Sequence, residues 1–288
     1  MPAFPIIDTH VHLWDPAYLA LPWLEGNALL NHRFGLPEFH DQTAGLQIEA
    51  FVYVEVDSDP HYALLEARWA VEQARLEQRL QGIVAHAPLE YGARVRSFLA
   101  ALTELGPLIK GVRRLVQSEP DPAFCLRPDF VRGVQILPEY GLSCDLGITH
   151  VQLASAVALV RACPDTSFVL DHIGKPDIKQ QRYDPWREQL HELATLPNVV
   201  CKISGMITEA DHASWTTADL APYLAHALAV FGPERVMFGG DWPVSLLAGG
   251  YQRWVAALDL LTADLAWSDR QRLWAENARR CYRLAAAG

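Results

Sequence analysis

An alternation repeated eight times constrains this chain more than any other feature. Short runs rich in β-branched and aromatic residues each give way, after a loop, to a stretch with apolar residues at helical spacing. The runs fall at 6–12, 48–55, 82–86, 108–113, 142–148, 167–172, 198–204 and 235–241. The helical stretches fall at 63–80, 94–105, 129–137, 151–162, 186–196, 219–231 and 253–261, with one more at 269–284. Asp59 and Pro60 supply a cap and a first-turn proline for the first helix, and Pro138 is placed to end or kink the third. Eight strand and helix units in 288 residues predict an α/β fold of the closed (β/α)8 type, a TIM barrel. An open doubly wound sheet is the alternative, but no Gly-x-Gly-x-x-Gly follows any strand. No shift in composition and no Pro/Ser-rich linker divides the chain, so residues 1–288 are read as one domain.

Composition narrows the partners. Half the residues are hydrophobic, enough for a large buried core. The 34 acidic side chains outnumber the 24 Lys and Arg, and a formal charge of −10 repels a phosphate backbone, which argues against nucleic acid. No basic segment precedes an apolar run at the amino terminus, and no 18 apolar residues stand together, so neither secretion nor a membrane is expected. Five scattered cysteines without Cys-x-x-Cys spacing read as reduced core thiols of a cytoplasmic protein.

In such a barrel the active site lies at the carboxyl ends of the strands. There the first strand presents His10 and His12, whose i, i+2 spacing points both rings to one side. The second strand ends at Glu55 and Asp57, the third at His86, the fourth at Lys110, Arg113 and Arg114. Asp171, His172 and Lys175 close the sixth, Lys202 and Ser204 the seventh, Asp241 the eighth. Ionisable groups crowded into a buried mouth are unfavourable unless they pair or bind something. The loop after the first strand holds Trp14, Trp23, His32 and Phe34, so it either covers a site or packs beneath one.

His-x-His on the first strand, Asp171-His172-Ile173-Gly174-Lys175-Pro176 on the sixth and Gly240-Asp241-Trp242-Pro243 on the eighth resemble the amidohydrolase superfamily. Asp8-Thr9-His10-Val11-His12-Leu13-Trp14, Lys110-Gly111-Val112-Arg113, Cys201-Lys202-Ile203-Ser204-Gly205 and Asn277-Ala278-Arg279-Arg280 are similar to its lactonase branch, the sugar-lactone and 2-pyrone-4,6-dicarboxylate hydrolases. The resemblance runs from residue 6 to about 282 and implies hydrolysis of an aldonolactone such as L-fucono- or L-rhamnonolactone. It implies either one zinc ion, or another divalent cation, held by His10, His12, His172 and Asp241, or no metal at all. Residues 142–148 contain no histidine, which argues against a two-metal centre. A zinc-dependent non-hydrolytic decarboxylase and a lactone isomerase share much of this pattern and stand as alternatives.

Opening a lactone needs an attacking water, a stabilised oxyanion and a proton for the leaving alkoxide. Asp241 suits the first and third tasks, since a carboxylate can take a proton from water and return it to the ring oxygen; its competing role is a turn or a salt bridge. His10, His12 and His172 would polarise the carbonyl directly or through a cation. Arg113 would grip hydroxyls or a carboxylate with its forked donors, and alternation forbids Arg114 from facing the same side. Glu55, His86, Lys202 and Trp23 complete the expected substrate wall, though each also suits a structural role.

Overall fold

The computed structural model describes residues 2–285. Its strands are β1 Ile6–Val11, β2 Ile48–Val54, β3 Leu80–His86, β4 Ile109–Arg113, β5 Ser143–Leu146, β6 Phe168–Leu170, β7 Val199–Ile203 and β8 Val236–Phe238. They form one eight-stranded sheet in sequence order, and each pairs in parallel with the next. All eight predicted runs are strands, and the barrel expectation holds. Parallel strands covered on both faces are apolar along their whole length, so the runs were visible in sequence.

The helices are α1 Leu36–Gln42, α2 Ala63–Leu76, α3 Val95–Thr103, α4 Pro128–Ile136, α5 Leu153–Ala162, α6 Trp186–Ala194, α7 Met206–Glu209, α8 Thr217–Phe231, α9 Tyr251–Leu261, α10 Trp267–Gln271 and α11 Asn277–Cys281. Two predicted helices need correction. The one expected over 63–80 stops at Leu76, because Leu80 already pairs with Phe51 in the sheet. The one expected over 269–284 starts at Trp267, passes through a π-helical turn at Arg272–Glu276 and ends at Cys281. Pro138 does terminate a helix: α4 ends two residues earlier and Pro138 lies in a 3-10 turn.

Two apolar layers hold the barrel. Phe51, Tyr53, Val112, Cys201 and Phe238 belong to the large cluster between sheet and helices. Ile7, Val52, Val54, Val84, Val169 and Met237 fill a second cluster with Ala278, Tyr282 and Leu284, so the C-terminal segment packs against the lower interior. The upper interior is left to polar side chains. Between β8 and β1 the backbone contact is slight: Val11 bridges Trp242, His12 N–H donates to the Trp242 carbonyl at 2.7 Å, and Asp241 N–H donates to the His10 carbonyl at 2.8 Å. All five cysteines are free. No helix among the described residues is long and apolar enough to cross a membrane.

Candidate active site

Asp241, just beyond β8, is the centre of the mouth. The Nε2 atoms of His12, His10 and His172 lie 3.6, 3.8 and 3.9 Å from its Oδ1. His10 and His12 do face one side, with ring centroids 4.8 Å apart. Asp57, His172 and Asp241, which end β2, β6 and β8, all have left-handed backbone (φ 52°, 55° and 53°). That conformation disfavours residues with a Cβ and gathers at functional sites. Gly205 makes room for one of them: a Cβ there would lie 2.5 Å from His172 Nδ1.

The rings are held from behind. His12 Nδ1 is 2.9 Å from the Val54 carbonyl, an acceptor only, so in the neutral ring Nδ1 carries the proton and Nε2 presents a lone pair. That contact therefore leaves neutral His12 no proton to donate to a substrate carbonyl. His172 Nδ1 meets Ser204 Oγ at 2.8 Å. Burial is the main cause that pushes His172 down to about 4, although Asp241 opposes it. Burial likewise keeps His10 well below its ordinary value, against the pull of Asp171 and with help from Lys202. Burial alone would raise the Asp241 carboxyl, but His172, His12 and His10 outweigh it and hold the group below the usual carboxylate range.

Beneath these rings lies a layer of charge with almost no solvent contact. Arg113 Nε donates to Glu55 Oε1 at 2.6 Å, and its NH1 to Asp171 Oδ2 at 2.9 Å. Its NH2 donates to the Glu55 carbonyl at 2.7 Å, and NH1 approaches His10 Nε2 at 3.3 Å. Lys202 Nζ reaches Asp145 Oδ2 at 2.7 Å and Asp171 Oδ1 at 3.0 Å, and Tyr282 Oη donates to Asp145 at 2.6 Å. Burial would lower the Lys202 ammonium, yet Asp145 and Asp171 raise it above its usual value. Glu55 and Lys202 are fully buried. Neither they nor His86 lies on the cavity wall, so the structure does not bring these three expected substrate contacts to the mouth. Glu55 lies two residues before Asp57, which does face the cavity.

Above the layer is a cavity of about 260 Å³. His12, His172, Asp241, Arg113 and Trp23 line it, joined by residues that sequence reasoning gave no role: Gln117, Thr208, Glu209 and His212. They lie in the connections that follow β4 and β7, and that position was the available signal. Trp23 donates its indole N–H to the Val56 carbonyl at 2.8 Å and packs edge-on against Trp14, 5.4 Å between centroids. The aromatic loop thus does both things expected of it: Trp14 is buried beneath, while Trp23 forms part of the wall. Arg114 turns away to Glu90 and Glu119.

Three of the expected donors, His10, His12 and Asp241, fit a single divalent cation, whereas His172 groups with His10 and Asp171. Nitrogen and oxygen ligands about 2.0–2.2 Å from zinc stand roughly 3–4 Å from one another, which agrees with the spacing around Asp241 Oδ1. His10, His12 and Asp241 form one group close enough to share an ion. The lone pair of neutral His12 also faces a carboxylate oxygen with no proton between them, a contact that a cation relieves. The Arg113 guanidinium beside His10 brings fixed positive charge to the same cluster.

A (β/α)8 barrel whose strand ends gather three imidazoles around one aspartate, above a small cavity, is built as an enzyme for a small molecule. The family model described as amidohydrolase matches residues 7–284, and the chain belongs to that family. It is 35% identical to the L-fucono-1,5-lactonase of Burkholderia multivorans, over 96% of each chain. It is 25% identical to the L-rhamnono-gamma-lactonase of Scheffersomyces stipitis, over 99% of this chain and all of that one. A solved amidohydrolase from Burkholderia multivorans with bound zinc superposes with a TM-score of 0.87 at 32% identity, covering 98% of this chain and 100% of that one.

Proposed function

We propose that the protein hydrolyses the ester bond of a sugar lactone to give the open hydroxy acid. The observation that carries this reading is the convergence of three imidazole Nε2 atoms on Asp241 Oδ1 inside the mouth, in a chain whose relatives are named as sugar lactonases. L-Fuconolactone and L-rhamnonolactone are the substrates those names favour.

Water bonds to the lactone carbonyl carbon as Asp241 takes one of its protons. The bond from that carbon to the ring oxygen then breaks, and Asp241 returns the proton to the departing oxygen. Lying below the usual carboxylate range, Asp241 is ionised at neutral pH, and once protonated it gives the proton up readily in the second step. His12, with Nε2 as an acceptor, orients the water. Arg113 keeps one N–H beyond its four internal contacts, and the residue lies on the cavity wall. Trp23 offers an indole face to the apolar side of a sugar ring. If a divalent cation is bound, His10, His12 and Asp241 hold it, and it supplies Lewis-acid polarisation of the carbonyl.

A pH-indicator screen of neutral aldono-1,4- and aldono-1,5-lactones tests the proposal, with and without chelator. Acid release from at least one sugar lactone is expected. Silence across the panel in both conditions overturns the reading.

A further inference from the structure

The mouth carries two carboxylates that the reaction does not use, Asp57 at the end of β2 and Glu209 at the end of α7, both on the cavity wall. The Asp57 backbone N–H donates to Glu55 Oε2 at 2.8 Å, which fixes the turn. Its own carboxylate has no hydrogen-bond partner among the described residues. Among the described residues the Glu209 carboxylate meets only Lys175, at 3.9 Å, and Lys175 is already held by Gln117 Oε1 at 2.7 Å. The other cation on the wall, Arg113, spends its charge on Glu55 and Asp171 below. Around the substrate space, then, the loosely held groups are acidic and the cations are engaged. Burial, aided by Glu55, pushes Asp57 up to about 6, and burial raises Glu209 against the pull of Lys175.

This inference rests on the lactonase reading and deepens it. We propose that Asp57 and Glu209 set the charge selectivity of the site: they accept hydrogen bonds from hydroxyls of a neutral lactone, turn away lactones that carry a fixed negative charge, and repel the carboxylate product. A neutral ring supplies donors that suit both groups. Hydrolysis converts it into an anion in the same space, so the interaction changes from favourable to repulsive at the moment of turnover. Product release is thereby coupled to the chemistry without a moving lid.

The test compares the wild-type protein with Asp57→Asn and Glu209→Gln at pH 8. Asparagine tolerates the left-handed backbone at position 57, so that variant keeps the turn. Two quantities are read: the ratio of kcat/KM for a neutral aldonolactone to that for a lactone bearing a ring carboxylate, and the inhibition constant of the aldonate product. Each substitution is expected to lower both by about tenfold at low salt, with the effect shrinking at high salt. Calorimetric titration with the aldonate reads the same repulsion without turnover, and tighter binding to either variant supports the inference even where the lactone panel is silent. Unchanged selectivity and unchanged aldonate affinity in both variants overturn it. Loss of turnover in the wild type, with tighter aldonate binding by the variants, overturns the lactonase reading alone.

Discussion

Asp241 is ringed by imidazoles, and each has a second anchor: Val54 behind His12, Ser204 behind His172, Lys202 and Asp171 behind His10. The carboxylate is thus set in a prepared position and is not required to hold the barrel together. Its backbone N–H, which donates to the His10 carbonyl, survives any change of side chain. Asp241→Asn keeps size and backbone but can neither accept the proton of water nor return it. Turnover should fall by about 10²–10⁴, with the aldonate still bound and the urea midpoint nearly unchanged. Acid release and calorimetry on the same preparation check this. A variant with substantial residual kcat would assign the proton transfers to another group.

Between elements, the weakest seam of the barrel is the one beside the site. β8 and β1 share few backbone bonds, and a side chain takes over the closure. Asp8 Oδ1 accepts from Gly240 N–H at 2.8 Å and from His10 N–H at 2.9 Å, and Oδ2 accepts from Tyr251 Oη at 2.8 Å. Gly240 is needed for this approach, because a Cβ there would lie 2.4 Å from Asp8 Oδ2 and 2.1 Å from the Tyr251 ring. Asp8→Ala leaves three buried donors without an acceptor, at roughly 1–3 kcal/mol each, so unfolding stability should drop by about 3 kcal/mol or more. Because Asp241 follows Gly240, kcat should fall as well. Asp8→Asn keeps an acceptor for both backbone groups and should be much milder on both measures. Urea unfolding and steady-state kinetics of the pair decide it, and equal behaviour of the two variants would remove Asp8 from the closure.

For the molecule as a whole, strand identity was legible because apolar runs and their polar ends alternate in one dimension, whereas depth inside the barrel is a property of register and tilt. His10, His12, His172 and Asp241 were found by position alone and do meet. Glu55 and Lys202 were placed in the mouth by the same rule but lie a layer lower, where cross-strand neighbours such as Asp145 and Asp171 neutralise them. Glu209 ends the four-residue α7 and His212 lies in the loop after it, too short a stretch to have a periodicity to read. Burial of unpaired acid extends beyond the mouth: Glu66 on α2 is fully buried and accepts from Tyr53 Oη, Val56 N–H and Ser58 Oγ at 3.0, 3.0 and 2.6 Å. Burial, with the Glu55 carboxylate adding to it, raises Glu66 from 4.5 to about 7. The folded protein therefore holds a proton there that the unfolded chain releases near 4.5. This contribution to stability is complete below that value and is lost as pH rises through 7. Glu66→Gln cannot ionise and should escape the loss, while every other titrating group stays common to both proteins. Between pH 5 and pH 8 the stability difference should move by about 3 kcal/mol in favour of the glutamine variant. Urea unfolding at the two pH values measures it, and parallel stability curves would show that Glu66 is ionised in the folded protein throughout.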